Sequence, residues 1–108
     1  MPQRGEVWWV RLDPVQGAEI AKTRPCLIVS ATVVNERRKT VVVIPFSSSP
    51  RAGPPLLIPV RCAGRDAVAV IDQIRAVAKE RLETRLGELS PAELDAVEDG
   101  LRQVLELG

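Results

Sequence analysis

The stretch KTRPCLIVS, Lys22 to Ser30, decides the fold. Arg24 stands directly before Pro25, and the residues from Cys26 to Val29 are all apolar. Such a short unbroken run predicts a strand buried on both faces, entered through an extended Arg24 because proline disfavours helix at the residue before it. Working outward, GEVWWVRLDP predicts a strand ending at Asp13-Pro14, followed by an irregular loop over VQGAEIAKTR. TVVVIPF, LLIPV and AVAVIDQI predict further strands, separated by the charged turn NERRKT, the surface loop SSSPRAGPP and the turn RCAGRD. Pro59 within LLIPV argues for an edge or a bulge. KER is a helical turn, and ETRLGEL is open to reading as a further short strand.

SPAELDAVEDGLRQVLELG is the clearest helix. Ser90 is its N-cap, Pro91 its first residue and Glu93 completes a capping box. Leu94, Val97, Leu101, Val104 and Leu105 share one face, and Gly100 is the weak point. Four or five short strands and a terminal amphipathic helix predict a mainly β (α+β) chain: a small antiparallel barrel with a C-terminal helix, one domain over residues 1–108. Aromatic residues make up only 3% of the chain, so the core has to be aliphatic.

Several chemistries are excluded. The chain has no histidine, hence no Ser-His-Asp triad and no imidazole base. Its two cysteines, Cys26 and Cys62, have no metal-binding spacing and read as reduced thiols. There is no phosphate-binding glycine loop, no secretory leader and no run of the ~20 apolar residues that a membrane helix needs. The net charge of +1 conceals an asymmetry, with ten basic against five acidic side chains over residues 1–66 and five against nine over 67–108. A polyanion-facing first part with an acidic helix turned away fits that distribution, as does ordinary solvated charge.

Three polar groups remain at strand ends: Glu19 to Arg24, Ser47-Ser48-Ser49, and Asp72 to Arg75. If the second and third strands pair as neighbours, Arg24 lies near Ser47. Each group also has a bland reading, as a surface ion pair, a turn, or a cap on loose backbone groups. The Trp8-Trp9 pair reads as core and rim packing or as a base-stacking platform.

Taken in order, RGEVWWVRLDPVQGAEIAKTRPCLIVS, VVVIPFSSS and AVIDQIRAVAKERLETRLGELSPAELDAVEDGLRQVL resemble the MazF/PemK family of toxin endoribonucleases over nearly the whole chain. The specific pieces are G-[DE]-[IV]-W, D-P-x-x-G-x-E with R-P beyond it, and D-Q-[IV]-R. The resemblance implies an SH3-like barrel, a homodimer with an RNA groove, and metal- and cofactor-free cleavage of single-stranded RNA in the cytoplasm. It also implies a cognate antitoxin whose disordered tail covers the groove. By position it places the catalytic arginine on Arg24 and the catalytic hydroxyl on Ser47, where the family's P-x-T-S pattern carries threonine. Glu19 becomes a candidate base, and Lys22, Ser48, Arg51, Gln73 and Arg75 candidate RNA contacts. The loops over 14–23 and 47–56 become the expected base readers. Two rival readings are an inactive RNA- or protein-binding barrel and a gyrase-inhibiting toxin of the same architecture. The latter depends on a tryptophan-bearing tail, whereas this chain ends LELG.

Overall fold

The computed structural model describes residues 1–48 and 51–108, so Ser49 of the serine run lies outside the described residues. In chain order the elements are β1 (Glu6–Arg11), β2 (Thr23–Ile28), α1 (Thr32–Arg37), β3 (Thr40–Ser47), β4 (Leu57–Cys62), β5 (Arg65–Val70), β6 (Arg75–Ala78), β7 (Leu82–Glu88) and α2 (Pro91–Val104). The strands form one antiparallel sheet in the order β4-β5-β3-β2-β1-β7, with β6 also on β3.

β3 organises the sheet. One edge carries β2, from Ile28 opposite Val43 to Cys26 opposite Pro45. Its other edge carries β6 along Thr40–Val43 and β5 along Phe46–Ser47. β5 and β6 are thus two halves of one return path. The register slips between them by three residues, which are accommodated in the 3-10 turn Ile71–Gln73. This is why AVAVIDQI is not one strand: at Ile71, which is fully buried, the chain turns in toward the core. β7 carries two bulges, because Leu86 and Glu83 have no partner of their own on β1. Bulges bend a strand and increase its twist. The sheet curls into a half-barrel and brings β4 back toward β7, where a Cβ on Gly87 would lie 3.5 Å from Cys62 Sγ.

Both faces of the curled sheet carry a core. The concave face buries Leu27, Ile44, Phe46, Ile58 and Ile71 beneath Val97 of α2, with Leu94, Leu101 and Val104 packed around them. The other face buries Val10, Leu12, Cys26, Ile28, Val41, Val43 and Val77, and is closed by Trp8, Leu82, Val15 and Ile20. Cys26, Leu27 and Ile28 alternate between the two cores and all have 0% exposure, as the apolar run in β2 predicts.

α2 begins where expected but ends at Val104, so Leu105, expected on its apolar face, is its exposed C-cap. Ser90 Oγ accepts from Glu93 N at 3.2 Å and Ser90 N donates to Glu93 Oε1 at 3.1 Å. Gly100 has a packing reason, since a Cβ there would stand 3.0 Å from the Pro55 carbonyl oxygen. The charged turn NERRKT differs from expectation: its first three residues end α1. Asn35 is the cause. It is fully buried and donates to the carbonyls of Ser30 (3.1 Å) and Pro2 (3.2 Å), while accepting from Ser30 Oγ. A buried amide with its partners satisfied anchors a helix that its own six residues could not sustain.

Candidate active site

The β2–β3 ladder ends at Cys26 opposite Pro45. One more step would set Pro25 against Phe46 and Arg24 against Ser47. Neither Pro25 nor Pro45 has an N–H to continue the ladder. Phe46 and Ser47 pair instead with Ala69 and Val68 of β5. The two strands part, and a cavity of about 590 Å³ opens at their ends. It is bordered by Trp9, Thr23, Arg24, Pro25, Phe46, Ser47 and Ser48, by residues 62, 63 and 65–67 around the β4–β5 turn, and by Leu86. Arg24 and Ser47, far apart in sequence, therefore border one space. Leu86 reaches it as a bulged residue of β7.

Arg24 is half-buried, and its Nε donates to the Ala21 carbonyl at 3.2 Å. That bond restrains the plane of the guanidinium. Strand alternation puts Thr23 and Pro25 on the concave face and Arg24 with Cys26 on the other, so Arg24 stands at the seam between the two cores.

Three other candidates build the 12–22 loop beside the cavity rather than its wall. Glu19 Oε1 accepts from Gln16 N at 2.6 Å. Gln73 Oε1 accepts from Ile20 N at 3.3 Å, tying the loop to the 3-10 turn. Lys22 adopts φ +69°. Its N–H donates to Asp13 Oδ1 at 2.9 Å and its carbonyl accepts from Leu12 N at 2.8 Å, which closes the neck of the loop. Arg81 adds bonds to the carbonyls of Arg11 and Asp13. Arg75 lies opposite Val43 on the loop-covered face, close enough to act on Cys26 electrostatically. Its Nη1 is buried with no hydrogen-bond partner among the described residues. Arg51 is exposed and is not among the residues bordering the cavity.

Neither cysteine is primed as a nucleophile. Burial pushes the Cys26 thiol up to about 12 against the opposing charge of Arg75. Burial and then Glu93 raise Cys62, against Arg85 and the Ala63 backbone. Both remain thiols at neutral pH. Glu6 shows the opposite balance. Burial works to raise its pKa, but donors from Gln3 N, Arg85 and Trp8 outweigh that and hold it below the ordinary carboxylate value.

The cavity also contains one residue of the Trp8-Trp9 pair, together with Arg65, which the sequence did not single out. Trp8 and Trp9 part company: Trp8 packs on the loop-covered core with its Nε1 donating to Glu6 at 3.1 Å, while Trp9 faces the cavity opposite Pro25. Period-two alternation was the available signal. Arg65 arrives through the tight β4–β5 turn, where Ala63 (φ +52°) and Gly64 (φ +77°) both take left-handed backbone angles, as a type I′ turn requires. The sequence marks RCAGRD as a turn, while alanine in place of the usual asparagine or aspartate leaves the turn type, and with it the register of Arg65, unmarked.

A restrained guanidinium and a hydroxyl thus border one largely apolar cavity, a combination able to meet an anion. A family model for the PemK-like, MazF-like toxin of type II toxin-antitoxin systems matches residues 3–105. The chain belongs to the PemK/MazF toxin family. It is 35% identical to endoribonuclease MazF9 of Mycobacterium tuberculosis, over 99% of this chain and 98% of that protein. It is 30% identical to the endoribonuclease toxin MazF of Escherichia coli K12, over 90% and 87%. Among solved structures, a mycobacterial endoribonuclease in complex with its cognate antitoxin aligns with a TM-score of 0.83 at 25% identity, over 100% of this chain and 98% of that one. MazF of Deinococcus radiodurans shares the fold, with a TM-score of 0.88 at 24% identity over 98% and 97%. The half-barrel with its C-terminal helix is the architecture of this family, as expected from the strand pattern.

Proposed function

We propose that this chain is a toxin endoribonuclease that cuts single-stranded RNA at short sequences, using the 2′-OH of the substrate as nucleophile. The observation that carries this reading is the convergence of Arg24 and Ser47 on one cavity where β2 and β3 part. The 2′-oxygen attacks phosphorus, the P–O5′ bond breaks, and the products are a 2′,3′-cyclic phosphate and a 5′-hydroxyl. The nucleophile's proton leaves to a base, and the departing O5′ gains one. DNA lacks the 2′-OH and is spared. Negative charge gathers on the phosphoryl oxygens, and Arg24 meets it with a fixed fork of donors. Ser47 orients a phosphoryl oxygen or the 2′-OH. It keeps the family's hydroxyl without the methyl that stiffens threonine at χ1.

Glu19 is the candidate base, and its bond to Gln16 N has to be released for that task. Lys22, Ser48, Arg51, Gln73 and Arg75 supply further contacts along the strand. The charge of the transition state falls to Arg24. Among the described residues, no group of three or more Cys, Asp or Glu side chains is arranged to hold a metal ion. No helix among the described residues is long and apolar enough to cross a membrane. A cognate antitoxin neutralises the chain, in keeping with the complex solved for a mycobacterial endoribonuclease, and the family resemblance is the ground for placing it in the cytoplasm as a homodimer.

The test pairs wild type with Arg24→Ala on a long single-stranded RNA and the matching DNA, both in EDTA. Wild type cuts RNA alone, at few sites, leaving 5′-hydroxyl ends. Arg24→Ala stays folded and loses about 10²–10³ in rate, the usual loss on removing one transition-state donor. RNA left intact by wild type, or cut equally well by Arg24→Ala, overturns the proposal. Light scattering at about twice 11.8 kDa is expected for the dimer.

A further inference from the structure

We propose that the far wall of the cavity is a nucleobase subsite, in which Trp9 stacks against one base of the RNA and Arg65 donates to acceptors on that base's edge. This rests on the RNA-cleaving reading and adds to it a subsite that recognises sequence, formed by strand residues and a tight turn.

Trp9 is half-buried in the cavity wall, with Pro25 its direct partner across the ladder. Its neighbour Trp8 already serves the core, so Trp9 is free for another role. Arg65 is opposite Cys62, and register places it on the inner face of the β4–β5 hairpin with Ala67 and Ala69. It is exposed and has no side-chain hydrogen bond or ion pair among the described residues. The adjacent pair on the outer face, Arg61 and Asp66, satisfy each other at 2.6 Å. The left-handed turn at Ala63 and Gly64 holds Arg65 on a rigid hairpin.

Besides the polar side chains of Thr23, Ser48 and Asp66, the residues that share the cavity with Trp9 and Arg65 include the apolar Pro25, Phe46, Leu86 and Ala67. A second phosphate would favour an open, hydrated cationic surface, whereas an indole beside aliphatic walls suits the flat face of a base. The volume of about 590 Å³ falls within the range of small-ligand sites, roughly 300–1,000 Å³. Arg24 and Ser47 border the same space, so a nucleotide whose phosphate they hold directs its base toward Trp9. The guanidinium fork matches two adjacent acceptors, as on O6 and N7 of guanine. Adenine sets an amino group beside N7, and uracil separates its two carbonyls by N3–H, so guanine is preferred over both; cytosine, through O2 and N3, is its competitor for the fork.

The test uses wild type, Trp9→Leu, Trp9→Phe, Arg65→Ala and Arg65→Lys. Cut ends from a random-sequence RNA are sequenced, and binding of a non-cleavable 2′-O-methyl RNA is followed by tryptophan emission. Wild type shows a guanine preference at one position flanking the cut. Arg65→Ala relaxes that preference about tenfold relative to the other bases, the order expected for one bidentate contact. Arg65→Lys relaxes it as well, because the charge survives and the fork does not. Trp9→Leu binds about tenfold more weakly, and Trp9→Phe recovers most of the loss by keeping an aromatic face. RNA quenches an emission component that Trp9→Phe lacks, whether or not wild type cleaves, so failure of the reaction is distinguishable from failure of the subsite. Unchanged cut positions and affinities in the Arg65 and Trp9 variants overturn the proposal. So does a Trp9→Leu chain that dissociates to monomer on light scattering yet binds RNA as wild type does, which would make this face a contact between copies.

Discussion

One sheet is covered in two different ways. Over the concave face lies α2, with a capping box, a proline at its first position and Val97 fully buried. Over the other face lies the 12–22 loop, which has no regular structure and, beyond the buried Leu12 at its root, two apolar plugs, Val15 and Ile20, both half-buried. The helix satisfies its own backbone and needs only to bury its stripe. The loop depends on side chains brought from elsewhere: Gln73 holds Ile20 N, Asp13 holds Lys22 N, and Arg81 holds two carbonyls. Most of these bonds are exposed, and exposed bonds open at low cost. The residues that the family resemblance assigns to RNA, Glu19, Lys22 and Gln73, are the same ones that tie the loop down. The difference suggests a division of labour, with the helix side fixing the fold and the loop side exchanging its internal bonds for bonds to substrate.

Removing one plug from each side separates the two roles. Val97→Ala should lower stability by about 2 kcal/mol, the cost of two buried methyls and the cavity they leave. Cleavage per folded molecule should be unchanged. Ile20→Ala removes more carbon from a half-buried position, and its stability cost should be about 1 kcal/mol. Its loss of cleavage should exceed what that destabilisation explains. Urea melts and single-turnover cleavage check both variants. If Val97→Ala damages the chemistry and Ile20→Ala does not, the division of labour is wrong.

The two thiols sharpen the same contrast. Cys26 lies beneath the loop-covered face with 0% exposure, and Cys62 borders the cavity. A thiol reagent at pH 8 should modify Cys62 first and Cys26 only as fast as the loop-covered face opens. The Cys26 thiol, pushed up to about 12 by burial, stays protonated in the folded chain while the unfolded chain ionises near 9. The unfolded state thus binds fewer protons above pH 9. Stability should fall from there toward pH 12 by about 1 kcal/mol per pH unit. Cys26→Ala should flatten that decline in urea midpoints measured at pH 8 and pH 10. Equal labelling rates for the two thiols would mean that the loop does not shield its face.

The same asymmetry governs what could be read from the sequence. β1, β3 and α2 were legible, because a run of β-branched and aromatic residues or a capped 3.6-residue period encodes each locally. The approach of Arg24 to Ser47 was legible as well, since it needs only that β2 and β3 pair. Features that depend on distant partners were not. α1 is hidden in a charged segment because what anchors it is one buried amide bonded to Pro2 and Ser30. β6 is hidden because the three residues of the 3-10 turn read as a continuation of β5. In the candidate site, Arg24 and Ser47 stand in motifs, whereas Trp9 and Arg65 come to the cavity through strand alternation and a left-handed turn. Such placements follow from register, and register is set by the whole sheet.

The smallest expected effect bears on how rigid the helix side is. Glycine within α2 costs helix stability, and replacing it with alanine at an unconstrained position would gain up to about 1 kcal/mol. At Gly100 the added Cβ would stand 3.0 Å from the Pro55 carbonyl and 3.4 Å from two carbons of Ile58. The carbonyl belongs to a proline pair that has little freedom to retreat, and Ile58 is buried. Repulsion should therefore outweigh propensity, and Gly100→Ala should lose about 0.5 kcal/mol net, of the order of mild overpacking. A thermal melt gives the sign. A fall in Tm means that the helix is seated against a wall that does not yield, as the contrast between the two covers requires. A rise means that the 51–56 segment shifts to accept a methyl. The concave face would then be as adaptable as the loop side, and the selectivity of the cavity beside it could not depend on a fixed scaffold.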